Sequence, residues 1–424
     1  MVVVGAGFGG LTVARDLADA PVDVIVVDAR NHHTFQPLLY QVATAGLDGD
    51  DVCYAVRGVF AGQRNARVVL GRVVGGDLAA QVLTFEDGTE LGYDHLVLAC
   101  GAITATFGVE GVEEHAFGLK SLTDAVEIRD HVLLRFEHAD ARPDDASPGA
   151  LTVVIAGGGP TGVEMAGGLA ELFDDALRRD FPRLDVSQAR VVLVEAGERL
   201  LPTFDPSLSA RAERALQSKG VELHLGVGVA SITPCEVRMT DGAVVPSETV
   251  VWAAGVRAHP LAAALGLETM SNGRAVVTDQ LTVPGHPEIH VIGDVAAATD
   301  STGALLPQVA PVAMQQARFV AARLVSADDA AGAPFRYRDK GSMATIGRNQ
   351  AVAQLPGGIR LTGVVGWLAW LVLHLVMLVG FRNRANVVVN WAWNYVTYDR
   401  ASRIIAGPKA RDGAPPPPVR SRCD

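Results

Sequence analysis

Short runs of β-branched and aliphatic residues alternate with stretches in which apolar positions recur at helical spacing, from the first residue to about residue 325. The runs Val2 to Val4, Val22 to Val27, Leu96 to Cys100, Leu151 to Ile155, Val191 to Val194, Val250 to Ala254 and Ile289 to Ile292 are too continuous for strands with one wet face. Runs of this kind mark parallel strands buried on both sides, with helices as crossovers. The pattern predicts an α/β protein. A first unit closes on the tight turn at Gly101, and a polar stretch rich in Asp, Ala and Pro, Glu137 to Gly149, reads as a loop between domains. A second unit ends similarly at Ala254-Gly255. The strand ending in Gly293-Asp294 follows too soon to begin a third unit and is expected to return to the first.

Two of the runs lead into glycine-rich turns followed by helical patterns: Gly5-Ala6-Gly7-Phe8-Gly9-Gly10 and Gly157-Gly158-Gly159-Pro160-Thr161-Gly162. Strand, G-x-G-x-x-G and helix in this order form the dinucleotide-binding fingerprint. Its first glycine permits the turn, its second lets backbone approach a pyrophosphate and its third lets helix and strand pack closely, while the helix N-terminus faces the phosphate charge. An acid completes each copy. Asp28 ends the run after the first motif and Glu195 the run after the second, at positions suited to accept hydrogen bonds from a ribose. The second spacing is stretched by a longer helical segment, Phe173 to Gln188. A carboxylate at Glu195 would repel a ribose 2′-phosphate, which predicts NADH rather than NADPH at that site.

At 424 residues the chain exceeds one ordinary core, so two or three domains are expected. A net charge of -11, with no basic stripe to reverse it, argues against a nucleic-acid partner. Cys53, Cys100, Cys235 and Cys423 are scattered, with no C-x-x-C pair and no metal spacing; no metal is predicted, and a reducing compartment is. Met1 runs directly into the first strand, which predicts no signal peptide and a cytoplasmic location, with the true start of the chain open to lie upstream.

The order of Gly5 to Gly10, Ala99-Cys100-Gly101, Gly157 to Gly162 and Ile292-Gly293-Asp294 resembles the two-dinucleotide flavoprotein oxidoreductases. Within them, Asn31 to Ala43 (NHHTFQPLLYQVA), Gly159 to Glu164 and Ala310 to Gln316 (APVAMQQ) resemble the type II NADH:quinone oxidoreductases, over nearly the whole chain to about Gly407. The resemblance implies two Rossmann-like domains. An FAD-binding domain takes residues 1–121 and 274–330, an NADH-binding domain 122–273, a membrane-anchoring region 331–405 and a disordered Pro-rich tail 406–424. It implies non-covalent FAD held by Gly5, Gly7, Phe8, Gly9, Gly10, Asp28, Arg30, Asn31, Pro37, Val73, Ala99, Gly101, Asp294, Ala313 and Met314. NADH would be held by Gly157, Gly159, Pro160, Thr161, Gly162, Glu195, Ala254 and Gly255. Asp294 would bond the ribityl or pyrophosphate part of FAD. Glu164 resembles the family's acidic residue between the nicotinamide and quinone sides, and Gln315 and Gln316 would lie near an arriving quinone. Pro307 and Pro311 suit the start of the helical run Val312 to Val325, whose N-terminal partial charge would stabilise an anionic reduced flavin. Two positions depart from the family pattern: Cys100 stands where Thr is common, and Pro311 where many members have Gln, so no quinone contact is assigned to that side chain.

The C-terminal pattern points to lipid. Val364 to Phe381 is an apolar run close to membrane-spanning length, broken only by His374 and glycines. Asn386, Asn390 and Asn394 then recur at i, i+4 and i+8 opposite Val388, Trp391 and Tyr395, as in an amphipathic helix with interfacial aromatics. From Arg382 onward eight Lys or Arg face three Asp, a cationic end suited to anionic lipid. A spanning helix, a helix pair lying in one leaflet and a buried homodimer interface all fit the pattern. The resemblance favours the leaflet form, on the cytoplasmic face of the cell membrane, where a hydrophobic quinone reaches the flavin without leaving the bilayer.

Other readings remain at this stage. A disulfide reductase or a sulfide:quinone oxidoreductase of this architecture needs paired cysteines near the flavin, and Asn31 to Gly46 has none. A ferredoxin-type reductase does not need the apolar C-terminus. A flavin-bearing NADH sensor or scaffold with little turnover would use that C-terminus for docking.

Overall fold

The structure is a computed structural model that describes residues 1–143, 147–325, 332–400 and 402–405; the expected Pro-rich tail at 406–424 lies outside them. The helices that carry the site and the C-terminal surface are α1 (Phe8–Asp16), α2 (Leu39–Ala43), α3 (Pro160–Glu171), α4 (Ala310–Val325), α5 (Gly363–Met377) and α6 (Phe381–Thr397). The chain forms two compact units. One comprises Met1–Thr34, Tyr54–Ile103 and Val256–Lys340, the other Phe35–Cys53, Thr104–Gly255 and Gly341–Asp424.

In the first unit Val2–Val4 pairs in parallel with Val24–Asp28 on one side and Leu96–Leu98 on the other; Ala66–Leu70 extends the sheet at Val24–Asp28. The late strand His286–Val291 adds in parallel to Leu96–Leu98, so the chain does return here. Val2, Val3 and Leu96 to Leu98 are wholly buried, which is why these positions carry unbroken apolar residues. Helices α1 and α4 share one face of the sheet, where Leu11, Val13, Leu17, Val312 and Val320 join one apolar cluster.

In the second unit five parallel strands stand in the order Ala116–Phe117, Thr249–Trp252, Thr152–Ala156, Arg190–Glu195 and Glu222–Leu225. The stretch read as a loop from Glu137 starts later: a helix runs from Leu122 to Ala141, because Phe136 and Ala139 are buried on its inner face. Helix α3 continues through a π-helical turn, Leu172–Leu177, to Asp180, and stops before Pro182. Two glycines in α3 admit close neighbours. A Cβ on Gly167 would stand 2.5 Å from the Ile346 carbonyl oxygen, and one on Gly168 3.0 Å from the Thr44 side chain.

The C-terminal helices correct two expectations. The apolar run is not one spanning helix: α5 covers 15 residues and ends at Leu378, and Gly380 at φ 90° redirects the chain into α6. Fifteen residues rise about 22 Å, short of a hydrocarbon core of about 30 Å. No helix among the described residues is long and apolar enough to cross a membrane. Helix α6 is amphipathic, yet its asparagine stripe faces the protein. Asn383 Nδ2 reaches the carbonyl oxygens of Asp50, Asp51 and Cys53 at 2.9, 3.1 and 2.9 Å; Asn390 donates to Asp51 and Asn394 to the Gly46 carbonyl. Trp391 lies on this inner side as well, its indole N–H on Gln41 Oε1 at 2.8 Å. The outward side is apolar: Phe381 is 87 % exposed, Val389 64 % and Val396 76 %. Replacing Asn383 with Leu removes the two amide protons that these carbonyls share, so Asn383→Leu should destabilise the protein by about 2–3 kcal/mol. Denaturant melts read the loss, and limited proteolysis should first cut near residues 378–400.

Candidate active site

Each glycine-rich turn repeats the other nearly atom for atom. Gly5 and Gly157 stand at φ 106° and 112°, and each N–H reaches back to the end of the next strand, on Val27 and Val194 carbonyls at 2.8 Å. A Cβ on either would overlap the carbonyl of the crossing strand, Ala99 or Ala253, and a Cβ on Gly10 or Gly162 would overlap the carbonyl of Gly5 or Gly157. The middle glycines differ in kind. A Cβ on Gly7 or Gly159 meets nothing within 4 Å. Both are the N-caps of their helices, α1 and α3, with no side-chain cap, so the space beside each helix N-terminus is open. Pro160 and Thr161 are exposed at the mouth of the second turn.

The two acids also match. Asp28 Oδ2 accepts the Ala6 N–H at 2.6 Å, and Glu195 Oε2 the Gly158 N–H at 2.5 Å. The second oxygens take the Arg30 N–H at 2.8 Å and the Gly197 N–H at 2.7 Å. Each carboxylate therefore pins its glycine turn besides having lone pairs left for a ligand.

The other expected FAD residues fall in both units. Ala99 and Gly101 (φ 71°) follow the strand Leu96–Leu98, and Val73 is packed in the core beside that strand. Asn31 is exposed and its side-chain oxygen meets the His32 ring. Asp294 sits in the turn Gly293–Val295, its backbone carbonyl accepting from Gln308. Ala313 on α4 lies against Gly9 and Gly293, where only small residues fit; Met314 follows it, half-buried. Pro37 belongs to the second unit, in the 3-10 turn Gln36–Leu38 ahead of α2. On α4, Gln316 is buried and its Oε1 holds the Gly293 N–H at 2.6 Å, while Gln315 spends both amide ends on the Arg338 backbone. In the second unit Ala254 is exposed at the end of Thr249–Trp252. A Cβ on Gly255 would press on the Phe107 ring, itself 68 % exposed.

Glu164 lies in the second unit on the inner face of α3, 8 % exposed. Its Oε1 accepts the Thr345 N–H at 3.3 Å and the Trp370 indole N–H at 3.2 Å. Burial pushes the carboxyl up to about 8 against those two stabilising bonds, so it is protonated at neutral pH. Trp370 stacks on His374 with ring centroids 4.1 Å apart, and burial takes His374 down to about 4, opposed by its bond to the Trp370 carbonyl. Tyr40 lies edge-on to Trp370 at 6.2 Å, and burial holds its hydroxyl well above 10. Glu171, further along α3, is different: burial raises it, but Lys219 at 2.8 Å and Arg400 at 3.1 Å outweigh that and keep it ionised. Sequence reading found Glu164 and missed Tyr40, Thr345, Trp370 and His374. The signal available was Trp370 and His374, polar-edged side chains four apart in an otherwise aliphatic run.

Residues 1–317 match the family model described as pyridine nucleotide-disulphide oxidoreductase, and residues 340–397 match the NDH2 C-terminal domain. The chain is 39% identical to the type II NADH:quinone oxidoreductase Ndh of Mycobacterium tuberculosis, over 97% of its own length and 91% of the relative. It is 31% identical to an internal alternative NAD(P)H-ubiquinone oxidoreductase of Arabidopsis thaliana mitochondria, over 95% and 85%. The fold is like that of NDH2 from Plasmodium falciparum solved with NADH, at a TM-score of 0.85 and 19% identity, covering 94% of this chain and 99% of that one. Twin fingerprints on two parallel sheets, a buried acid on the second fingerprint helix and a matched C-terminal domain converge: the chain belongs to the type II NADH:quinone oxidoreductases, within the pyridine nucleotide-disulphide oxidoreductase family.

Proposed function

We propose that this protein oxidises NADH and, through non-covalently bound FAD, reduces a membrane quinone by two electrons without pumping protons. The observation that carries the reading is the pair of fingerprint turns, each with an uncapped helix N-terminus and an acid that pins it. The residues fit two dinucleotides, because the space a Cβ would fill at Gly7 and Gly159 is open beside a helix N-terminus. Bound FAD supplies a carrier that takes a hydride equivalent from NADH and yields two electrons to the quinone.

The protein's own residues bind and orient. Gly5, Gly7, Phe8, Gly9 and Gly10 with Asp28 would hold the FAD pyrophosphate and ribose, Asp294 the chain between them and the ring, and Ala313 and Met314 the start of α4. Gly157, Gly159, Pro160, Thr161 and Gly162 with Glu195, Ala254 and Gly255 would hold NADH. Gln316 fixes the Gly293 turn beside Asp294, and Gln315 ties α4 to residue 338, so in this reading both position the quinone side. Glu164 holds a proton at neutral pH and would deliver it where quinone oxygen gains charge.

The apolar outer faces of α5 and α6, including Val365, Val372 and Val376 at 62 % exposure each, would lie in one leaflet, with exposed Arg382 and Arg384 at anionic headgroups. In this reading the protein would lie on the cytoplasmic face of the cell membrane. A homodimer through the same faces is the competing occupant. Paired substitutions Val372→Asp and Val376→Asp should release the protein from anionic vesicles in flotation. A shift from dimer to monomer with vesicle binding intact favours the dimer instead.

NADH oxidation by the purified flavoprotein should depend on added quinone; turnover only with ferredoxin, or none, refutes the proposed reaction. Gly7→Val should abolish flavin loading, read from absorbance of the purified chain. Glu195→Gln removes one acceptor from the turn and the repulsion against a 2′-phosphate, so the ratio of kcat/KM for NADH over NADPH should fall. Equal values in the wild type would refute that assignment.

Glu164 gives a pH prediction. Its folded pKa near 8 stands above the unfolded value of about 4.3. Between these the folded state binds more protons, so its stabilising share is complete below about 4.3 and is lost as pH rises through 8. Glu164→Gln keeps an acceptor oxygen without titrating. The variant should gain thermal stability relative to wild type as pH rises from 6 to 9, and its pH–rate profile should lose a limb near 8.

A further inference from the structure

The second unit has a partly open cavity of about 110 Å³ beneath α5 and α6. Trp367, Trp370, Trp391 and Tyr395 border it, and Trp367 and Tyr395 stack with centroids 5.6 Å apart. Flat aromatic walls suit a planar ring. Its polar side is set by a chain of hydrogen bonds whose direction is fixed. An indole N–H can only donate, so the Gln41 amide must turn its oxygen to Trp391. The Gln41 NH2 then faces Tyr40 and donates to its oxygen at 2.8 Å. Tyr40 is thereby the acceptor in that bond, and its own hydroxyl proton has no acceptor among the described residues. Thr44, one turn along the same helical segment, is 1 % exposed, and its hydroxyl has no hydrogen-bond partner. Both residues border the cavity. Buried hydroxyls left unpaired are costly, so two at i and i+4 call for an acceptor oxygen from outside the chain. The fixed charges on its border balance, Glu171 and Asp175 against Arg348 and Arg400, so a neutral carbonyl needs no counter-charge there.

We propose that the Tyr40 and Thr44 hydroxyls donate to a carbonyl oxygen of the quinone head group, with Gln41 and Trp391 as positioning residues that keep Tyr40 a donor. The site rests on the quinone acceptor proposed above. It adds a recognition element distinct from Glu164, Gln315 and Gln316.

The test uses the flavin-loaded enzyme with menadione, a short-chain benzoquinone and ferricyanide as acceptors. Tyr40→Phe and Thr44→Val should each raise the quinone KM by about five- to tenfold, the scale of one uncharged hydrogen bond. The loss should fall on quinone KM rather than on flavin bleaching by NADH or on ferricyanide reduction. Thr44→Ser, which keeps the hydroxyl, should restore the KM lost in Thr44→Val. Trp391→Phe leaves both hydroxyls in place but frees the Gln41 amide to turn its oxygen to Tyr40 and consume that proton. It should match Tyr40→Phe, and the double variant should be no worse than either. A wild-type quinone KM in both Tyr40→Phe and Thr44→Val overturns the site, and additive loss in the double variant overturns the positioning role. Should Tyr40→Phe lose its flavin, the near-isosteric Thr44→Val decides. If the wild type reduces ferricyanide but no quinone, the acceptor reading itself fails, and this site with it.

Discussion

Glu164 stays uncharged because the second unit closes over it. An ionised carboxylate in that position would lose its hydration and gain only two donors, the Thr345 amide and the Trp370 indole, neither of them charged. Seven residues along the same helix, Glu171 meets Lys219 and Arg400 and remains ionised. Two acids on one helix thus take opposite charge states from their surroundings alone, the arrangement expected where one group must carry a proton and the other must hold structure. The same closure stacks Trp370 on His374 and keeps that imidazole neutral, while the charged groups that border the cavity, Glu171, Asp175, Arg348 and Arg400, balance in sign.

The C-terminal helices show why hydropathy and amphipathicity need a third dimension. A row of asparagines on a surface helix ordinarily turns to water. Here it turns inward, because residues 46 to 53 leave backbone carbonyls that need donors. The asparagines satisfy those carbonyls, and the apolar side of α6 is left outermost beside the apolar side of α5. The clamp at Arg400, which reaches both Glu171 and the Thr44 carbonyl, fixes the end of α6 to the same unit. The apolar outer faces of α5 and α6 and the residues around Glu164 therefore belong to one unit.

Much was legible from the chain alone, and for a local reason. A fingerprint turn, the strand before it and the acid after it lie within about forty residues, and the bond from the acid to the turn closes inside that window. Continuous apolar strands, the return of Ile289 to Ile292 to the first sheet and the class of the fold followed from the same local rules. The sequence determined that two fingerprint turns form, each tied to its acid, and that one end of the protein is apolar. Only the tertiary structure decided what the remaining polar groups do, because their partners are far away in the chain. Thr345 and Trp370 stand 181 and 206 residues from Glu164, and Trp391 stands 350 from Gln41. Gln315 and Gln316 look equally free in sequence, yet both spend hydrogen bonds on backbone that folding brings to them. Periodicity told that α6 has two faces; which face met the protein depended on carbonyl groups at residues 46 to 53, and no spacing within the helix could reveal them.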